Sequence, residues 1–314
     1  MDGTGGDEPR RSLKARWLSL TPASRGILLM VVSTMCFSIM HTAVRYLSAE
    51  LHPLQIVFFR NLFGMLLFVP LVWRSGFSFM STKRLPMHLL RAGLNVLAMS
   101  AFFMALALAP LARVNALAFT APLFTAVLSV VLLGERFRAR RWSAIMFGFL
   151  GTMVILRPGV AVIDPGAWLT LASAFIWGVT MIVIRSLGRT ESSLSITGYM
   201  IMFLSIMSLG PALYVWKTPE DMAAWAILLL IGLSGTAAQI LLAESLKTTE
   251  TTVVLPFDFL KIVWASMLGF LLFTEIPTLY TWIGAGLIFA SSFYVAYRER
   301  MVDKREAVRP VGSP

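Results

Sequence analysis

The chain has 314 residues, 57% of them hydrophobic and only 14% charged. A water-soluble domain carries about 25% charged residues, so a chain this apolar cannot cover its own surface, and lipid must be its solvent. The net charge of +11 would point to nucleic acid in a soluble protein, but here the basic residues lie in the tails and in alternate loops.

The segment from Met1 to Arg25 is polar and basic, with no apolar core and no cleavage site. It reads as a cytoplasmic tail rather than a signal peptide, and the first span is expected to serve as the insertion signal. Ten apolar runs follow, at about 26–47, 56–73, 89–109, 111–133, 142–157, 166–187, 194–216, 223–243, 251–273 and 277–298. Crossing a bilayer takes roughly 20 helical residues. The runs are continuous, whereas a transmembrane β-barrel shows alternating segments of about ten residues. The predicted fold is therefore an all-α polytopic membrane protein of ten helices, closed by a second cytoplasmic tail, 299–314.

Short loops on the cytoplasmic side are enriched in Lys and Arg. Twenty-one basic residues fall in the tails and the loops on their side, against four on the other, Arg45, Arg113, Arg157 and Lys217. Both termini are expected in the cytoplasm, and the location expected is a bacterial inner membrane. Cys36 is the one cysteine and lies inside the first span. It has no partner for an internal disulfide, and neither a metal nor a cofactor is called for.

The halves match at a spacing of 140 residues. Gly26, Leu29, Ser33, Arg45, Leu47 and Leu54 recur as Gly166, Leu169, Ser173, Arg185, Leu187 and Leu194, and later Glu135 and Trp142 recur as Glu275 and Trp282. The register is expected to slip by a residue or two around the third and fourth spans. Two five-helix repeats result, 26–159 and 166–298. Five is odd, so consecutive copies enter the membrane from opposite sides. Such inverted-topology pairs underlie many alternating-access transporters, with the site near the midplane between the repeats.

Several stretches carry a family resemblance: QIVFFRN (Gln55 to Asn61), APLFTAVLSVVLLGERF (Ala121 to Phe137) and GFLGTMVILRPG (Gly148 to Gly159), then the run from Leu255 to Tyr294. The chain resembles the drug/metabolite transporter superfamily, with two EamA-type repeats, from about Gly26 to Arg298. The "GE" ending the fourth span is echoed by "TE" ending the ninth. The resemblance implies a central cavity open alternately to each side. It also implies substrates among amino-acid-, vitamin- and nucleotide-like metabolites, such as aromatic, S-adenosylmethionine- or riboflavin-type molecules, or amphipathic drugs.

Ionisable groups in hydrocarbon need a partner, water or a function. Asp258 and Lys261 share a face of the ninth span and form either an intrahelical ion pair, a charged cavity wall, or both; Asp258 is also a candidate proton site. Arg60, beside Asn61 on the second span, either snorkels outward or faces the cavity and grips a substrate carboxylate or phosphate. His41 is a proton carrier or a hydrogen-bonded packing residue. Asn95, Asn115 and Gln239 read as helix–helix hydrogen bonds or cavity lining. Trp177 and Trp264 lie away from the predicted interfaces and either pack or stack on an aromatic substrate. Pro122 and Pro256 are expected to break the fourth and ninth spans, at related places in the halves. Glu135 and Glu275 are expected to stabilise the start of the helix that follows each, or to accept from loop amides.

No nucleotide-binding GxxxxGK[ST] and no HExxH occurs in the sequence. The expected function is a secondary transporter driven by protons or another coupling ion; the alternative is a non-transporting membrane protein, a regulatory partner or an intramembrane enzyme. The expected partners are a small-molecule substrate and the lipid bilayer. A homodimer is compatible with the sequence, but no motif calls for one.

Overall fold

A computed structural model describes residues 20–66, 82–134, 139–158, 164–187, 190–191 and 193–308. The elements are α1 Pro22–Leu47, α2 Pro53–Leu66, α3 Leu85–Leu108, α4 Leu111–Ala118, α5 Ala121–Leu133, α6 Ala139–Leu156, α7 Pro165–Leu187, α8 Ser193–Tyr214, α9 Met222–Thr248, α10 Thr251–Asp258, α11 Leu260–Phe273 and α12 Leu279–Val308. The starts follow ordinary rules. Pro22 opens α1 where its missing N–H costs nothing, and the Thr21 hydroxyl accepts from the Ser24 amide at 3.2 Å.

Counting α4–α5 and α10–α11 as one broken span each, seven helices are long and apolar enough to cross a bilayer. Three shorter apolar helices, Pro53–Leu66, Trp142–Leu156 and Leu279–Val295, bring the described residues to ten spans. An even number puts the start of α1 and the end of α12 on one side, called here the N-terminal face; the other is the far face.

The 140-residue offset holds throughout the described helices, which corrects the expected slip in the third and fourth spans. α3 ends at Leu108 and α9 at Thr248; α4 covers Leu111–Ala118 and α10 covers Thr251–Asp258; α2 begins at Pro53 and α8 at Ser193. Packing follows the same exchange. α1 lies along α9 as α7 lies along α3, and α6 against α12 and α2 against α8 pair helices that are each other's counterparts. Even single bonds recur: Ser33 Oγ donates to the Ala238 carbonyl at 2.7 Å, and its counterpart Ser173 donates to the Ala98 carbonyl at 2.7 Å. A buried hydroxyl in hydrocarbon must find such an acceptor.

The helix breaks are equivalent too, and Pro122 stands at the first of them while Pro256 does not stand at the second. The fourth span breaks at Phe119 and Thr120 and the ninth at Phe259, 140 residues after Phe119. Pro122 falls in the first turn of α5, where its lost N–H is harmless, and Pro256 lies inside α10, ahead of the break. The fourth and ninth spans also end alike. Gly134 (φ 68°) and Thr274 (φ 55°), 140 apart, both take the left-handed conformation that stops a helix. Only the first copy uses the residue that adopts it without strain.

The largest buried cluster lies toward the far face, where Val44, Leu47, Ile56, Phe103, Leu106 and Leu111 pack together with Leu228. Elsewhere α6 and α12 approach through small residues. A Cβ on Gly151 would meet the Gly284 carbonyl oxygen at 2.7 Å, and at the symmetry-related crossing Ser291 Oγ donates to the Ala144 carbonyl. Close backbone approach of this kind is how helices associate in lipid, where no hydrophobic force drives them together. Gly151→Ala is expected to cost about 1–3 kcal/mol by overpacking, read as a lower unfolding midpoint in detergent. Gly286→Ala, with nothing within 4 Å of the added carbon, should leave the midpoint unchanged.

Candidate functional site

Thr34, Phe37, Ser38 and His41 fall at helical spacing on one face of α1, and that face meets the broken ninth span. The Ser38 hydroxyl donates to the Lys261 carbonyl at 3.4 Å, and Trp264 Nε1 donates to Thr34 Oγ1 at 3.3 Å. Lys261 and Asp258 straddle the break at Phe259. Their charged atoms are 2.5 Å apart, with side chains 18% and 16% exposed. Lys261 Nζ also lies 4.8 Å from the Phe37 ring centre and 5.9 Å from that of Phe119. The ammonium therefore has one carboxylate and two aromatic faces.

His41 is buried, with Nδ1 3.0 Å from Asn115 Oδ1. The Asn115 amide nitrogen is engaged by the Leu111 carbonyl at 2.8 Å, so the oxygen faces the ring and His41 Nδ1 is the donor. Its ring meets Phe102 edge-on at 5.0 Å, and Phe102 in turn lies 5.6 Å from Trp177. Arg60 is only 6% exposed. Its Nη1 donates to Asn61 Oδ1 at 2.9 Å, and Asn61 Nδ2 reaches Ser208 Oγ at 3.5 Å. Both Arg60 and Lys261 lie within electrostatic reach of the His41 ring.

The sequence candidates thus divide. Asp258, Lys261, Trp264, His41, Asn115 and Trp177 line contiguous contacts among α1, α3, α4, α7 and the ninth span, whereas Arg60 and Asn61 on α2 face Gly235 of α9 and Ser208 of α8. Asn95 is half-buried and makes no hydrogen bond among the described residues. Gln239 is exposed, one turn beyond Gly235 on α9. Glu135 lies outside the described residues. No group of three or more potential metal ligands occurs among the described residues.

Glu275 caps a helix, though not the one that follows it. Its Oε2 accepts from the Leu111 amide at 2.9 Å, at the start of α4, and its Oε1 is 2.5 Å from Arg45 Nη2. Arg45 Nη1 donates to the Leu106 and Ala109 carbonyls at 2.9 and 2.7 Å. One ion pair thereby ties the far-face ends of α1, α3, α4 and α11. Arg45 was the functional-looking residue that its position near a helix end concealed, although its recurrence as Arg185 was the signal for it. A cavity of about 200 Å³ lies beside this pair, lined by Arg113, Arg157, Ser266, Glu275, Thr278 and Thr281. It lies toward the far face, and its lining reaches Ala265 and Ser266 on α11, one turn from Lys261.

The EamA-like transporter family matches residues 24–157 and again 164–297. The chain belongs to this family. Among its relatives, the S-adenosylmethionine uptake transporter of Rickettsia prowazekii (strain Madrid E) is 28% identical over 90% of this chain and 96% of that protein. The riboflavin transporter of Rhizobium johnstonii is 31% identical over 90% of this chain and 94% of that protein. The pseudopaline exporter CntI of Pseudomonas aeruginosa is 30% identical over 84% and 93%. The family thus accounts for the twin repeats, and its members named here move different small metabolites in different directions.

The symmetry of this EamA-family fold supplies a test of the Asp258–Lys261 pair. The counterparts of these residues in the first half are Ala118 and Ala121, so the fold accepts alanine at both places. Asp258→Ala alone leaves a poorly solvated ammonium and is expected to cost about 3–5 kcal/mol. Adding Lys261→Ala should recover most of that loss in the same unfolding assay.

Proposed function

We propose that this chain is a secondary, alternating-access transporter that carries a small metabolite through the region between its two inverted halves, in a bacterial inner membrane with the N-terminal face cytoplasmic. The observation that carries the reading is the coincidence of the repeat interface with the mid-span cluster of Asp258, Lys261 and His41, because inverted-repeat transporters hold substrate near the midplane. Charged side chains there are expensive and face water or substrate when a protein keeps them. The Arg45–Glu275 tie and the packed far-face core fit a state closed on that side. With no nucleotide-binding motif, the driving force is a gradient, and Asp258 and His41 are the titratable groups that stand in its path.

Substrates of the S-adenosylmethionine and riboflavin type are the first to try, on the strength of the relatives. Purified protein in proteoliposomes preloaded with either compound is expected to accumulate the labelled one by counterflow. The Asp258→Ala/Lys261→Ala double variant should fold and lose that accumulation. Normal counterflow in the double variant would remove the pair from the site. For orientation, a C-terminal fusion to a reporter active only in the cytoplasm is expected to be active, and activity of a periplasm-dependent reporter there would reverse the assignment.

A further inference from the structure

The far face carries only four basic residues, Arg45, Arg113, Arg157 and Lys217, and three of them gather at one place. Arg113 and Arg157 line the cavity of about 200 Å³, and Arg45 stands beside it through Glu275. Each carboxylate here already has its own arginine: Glu275 is paired with Arg45, and Asp164 with Arg113. Arg157 has none. Among the described residues its guanidinium makes neither an ion pair nor a hydrogen bond, and it lies over the Tyr280 ring, with Cζ 4.1 Å from the ring centre. Arg113 gives Nη1 to Asp164, and its Nη2 makes no hydrogen bond among the described residues. One positive charge is therefore left over at the cavity.

The backbone at Arg157 is unusual as well. α6 ends at Leu156, and Arg157 takes φ 52°, the left-handed conformation that glycine adopts without strain. An arginine there accepts a strain that glycine would avoid, and such strain gathers where a side chain has work to do. The cavity also holds a spare hydroxyl proton. Thr278 Oγ1 and Thr281 Oγ1 lie 3.1 Å apart, so one donates to the other and the second remains free to donate. Guanidinium groups with a neighbouring hydroxyl donor suit an oxyanion. We propose that this cavity binds a carboxylate or phosphate, held by Arg157 together with Arg113 and the Thr278–Thr281 hydroxyls. Sites for whole drug-sized ligands run to about 300–1,000 Å³, so this one takes a small anion or the charged end of a larger molecule. Its lining reaches Ser266, on the helix that carries Lys261. A bound oxyanion thus stands at the far-face end of the route to the Asp258–Lys261 pair; that role rests on the transport reading above, whereas the binding itself does not.

The same backbone supplies the variant. Arg157→Gly removes the guanidinium and suits the left-handed conformation, so the ligand-free protein should fold as wild type does; Arg157→Gln, which keeps the length of the side chain without its charge, is the second variant. The experiment measures the melting temperature of full-length protein in dodecyl maltoside, a detergent without phosphate, in inorganic phosphate or acetate against chloride of equal ionic strength. At about 50 mM, at least one of the two anions is expected to raise the wild-type midpoint by about 2 °C or more through mass action, and which one does so separates phosphate from carboxylate. Both Arg157 variants should lose the rise. Lys217→Gln, which removes the far-face cation that does not line the cavity, should keep it. Repeating the measurement in phosphatidylglycerol nanodiscs identifies the source: a rise that persists marks a free anion, and one that vanishes marks a lipid headgroup in the same site and removes the role on the route. The assignment is overturned if neither anion raises the midpoint in detergent, if the Arg157 variants keep the rise, or if Lys217→Gln loses it, which would make the effect one of overall charge. That failure would leave the transport reading standing, and a failure of counterflow would leave the oxyanion site standing.

Discussion

Hydrocarbon offers no hydrogen bonds, so every polar group that enters a bilayer must find its partner within the chain. That constraint organises this molecule. The backbone satisfies it by becoming helical. The hydroxyls of Ser33 and Ser173 satisfy it by bonding carbonyls of facing helices, and Asn115 by bridging its own helix to His41. Lys261 satisfies it with Asp258, and Arg45 with Glu275. Each pairing fixes one helix against another, so the cost of burying polar atoms becomes the specificity of the packing.

The two halves meet this constraint with unequal means. Their helices, breaks and terminating residues correspond at 140 residues, yet the polar groups at the centre belong to one copy of each position. His41 faces Met181 across the symmetry, Asn115 faces Leu255, and Asp258 and Lys261 face Ala118 and Ala121. The architecture needs the repeat; the chemistry does not. A duplicated frame can keep its geometry while one copy of each site drifts to an apolar residue, since apolar side chains are the inexpensive choice wherever no partner is required.

This division explains what could be read from the sequence. Span number, the inverted repeat and the Asp258–Lys261 pair were legible because hydropathy, a fixed offset and an i to i+3 spacing each act within one helix or one copy. The break of the fourth span was legible from Pro122, which opens the segment after it, but that of the ninth was not, because Pro256 is accommodated inside α10 and the helix is interrupted three residues later, at Phe259. Partners across helices were not legible at all. Nothing within α1 says that Arg45 reaches Glu275 or that His41 meets Asn115; rotation about the helix axis and the choice of neighbour are set by tertiary packing. For the same reason Glu275 stabilises α4 and not the helix that follows it in sequence.

The crossing of α6 and α12 through Gly151, Gly284, Ser291 and Ala144 has a mechanical meaning. These helices are counterparts that pack on each other, so the relation that exchanges the halves maps their contact onto itself. A contact with that property is a fulcrum: when one half tilts about it, the gap on one side of the bilayer widens as the gap on the other narrows. Tight glycine packing makes the pivot stiff, so the tilt is delivered to the other eight spans instead of being absorbed where it starts.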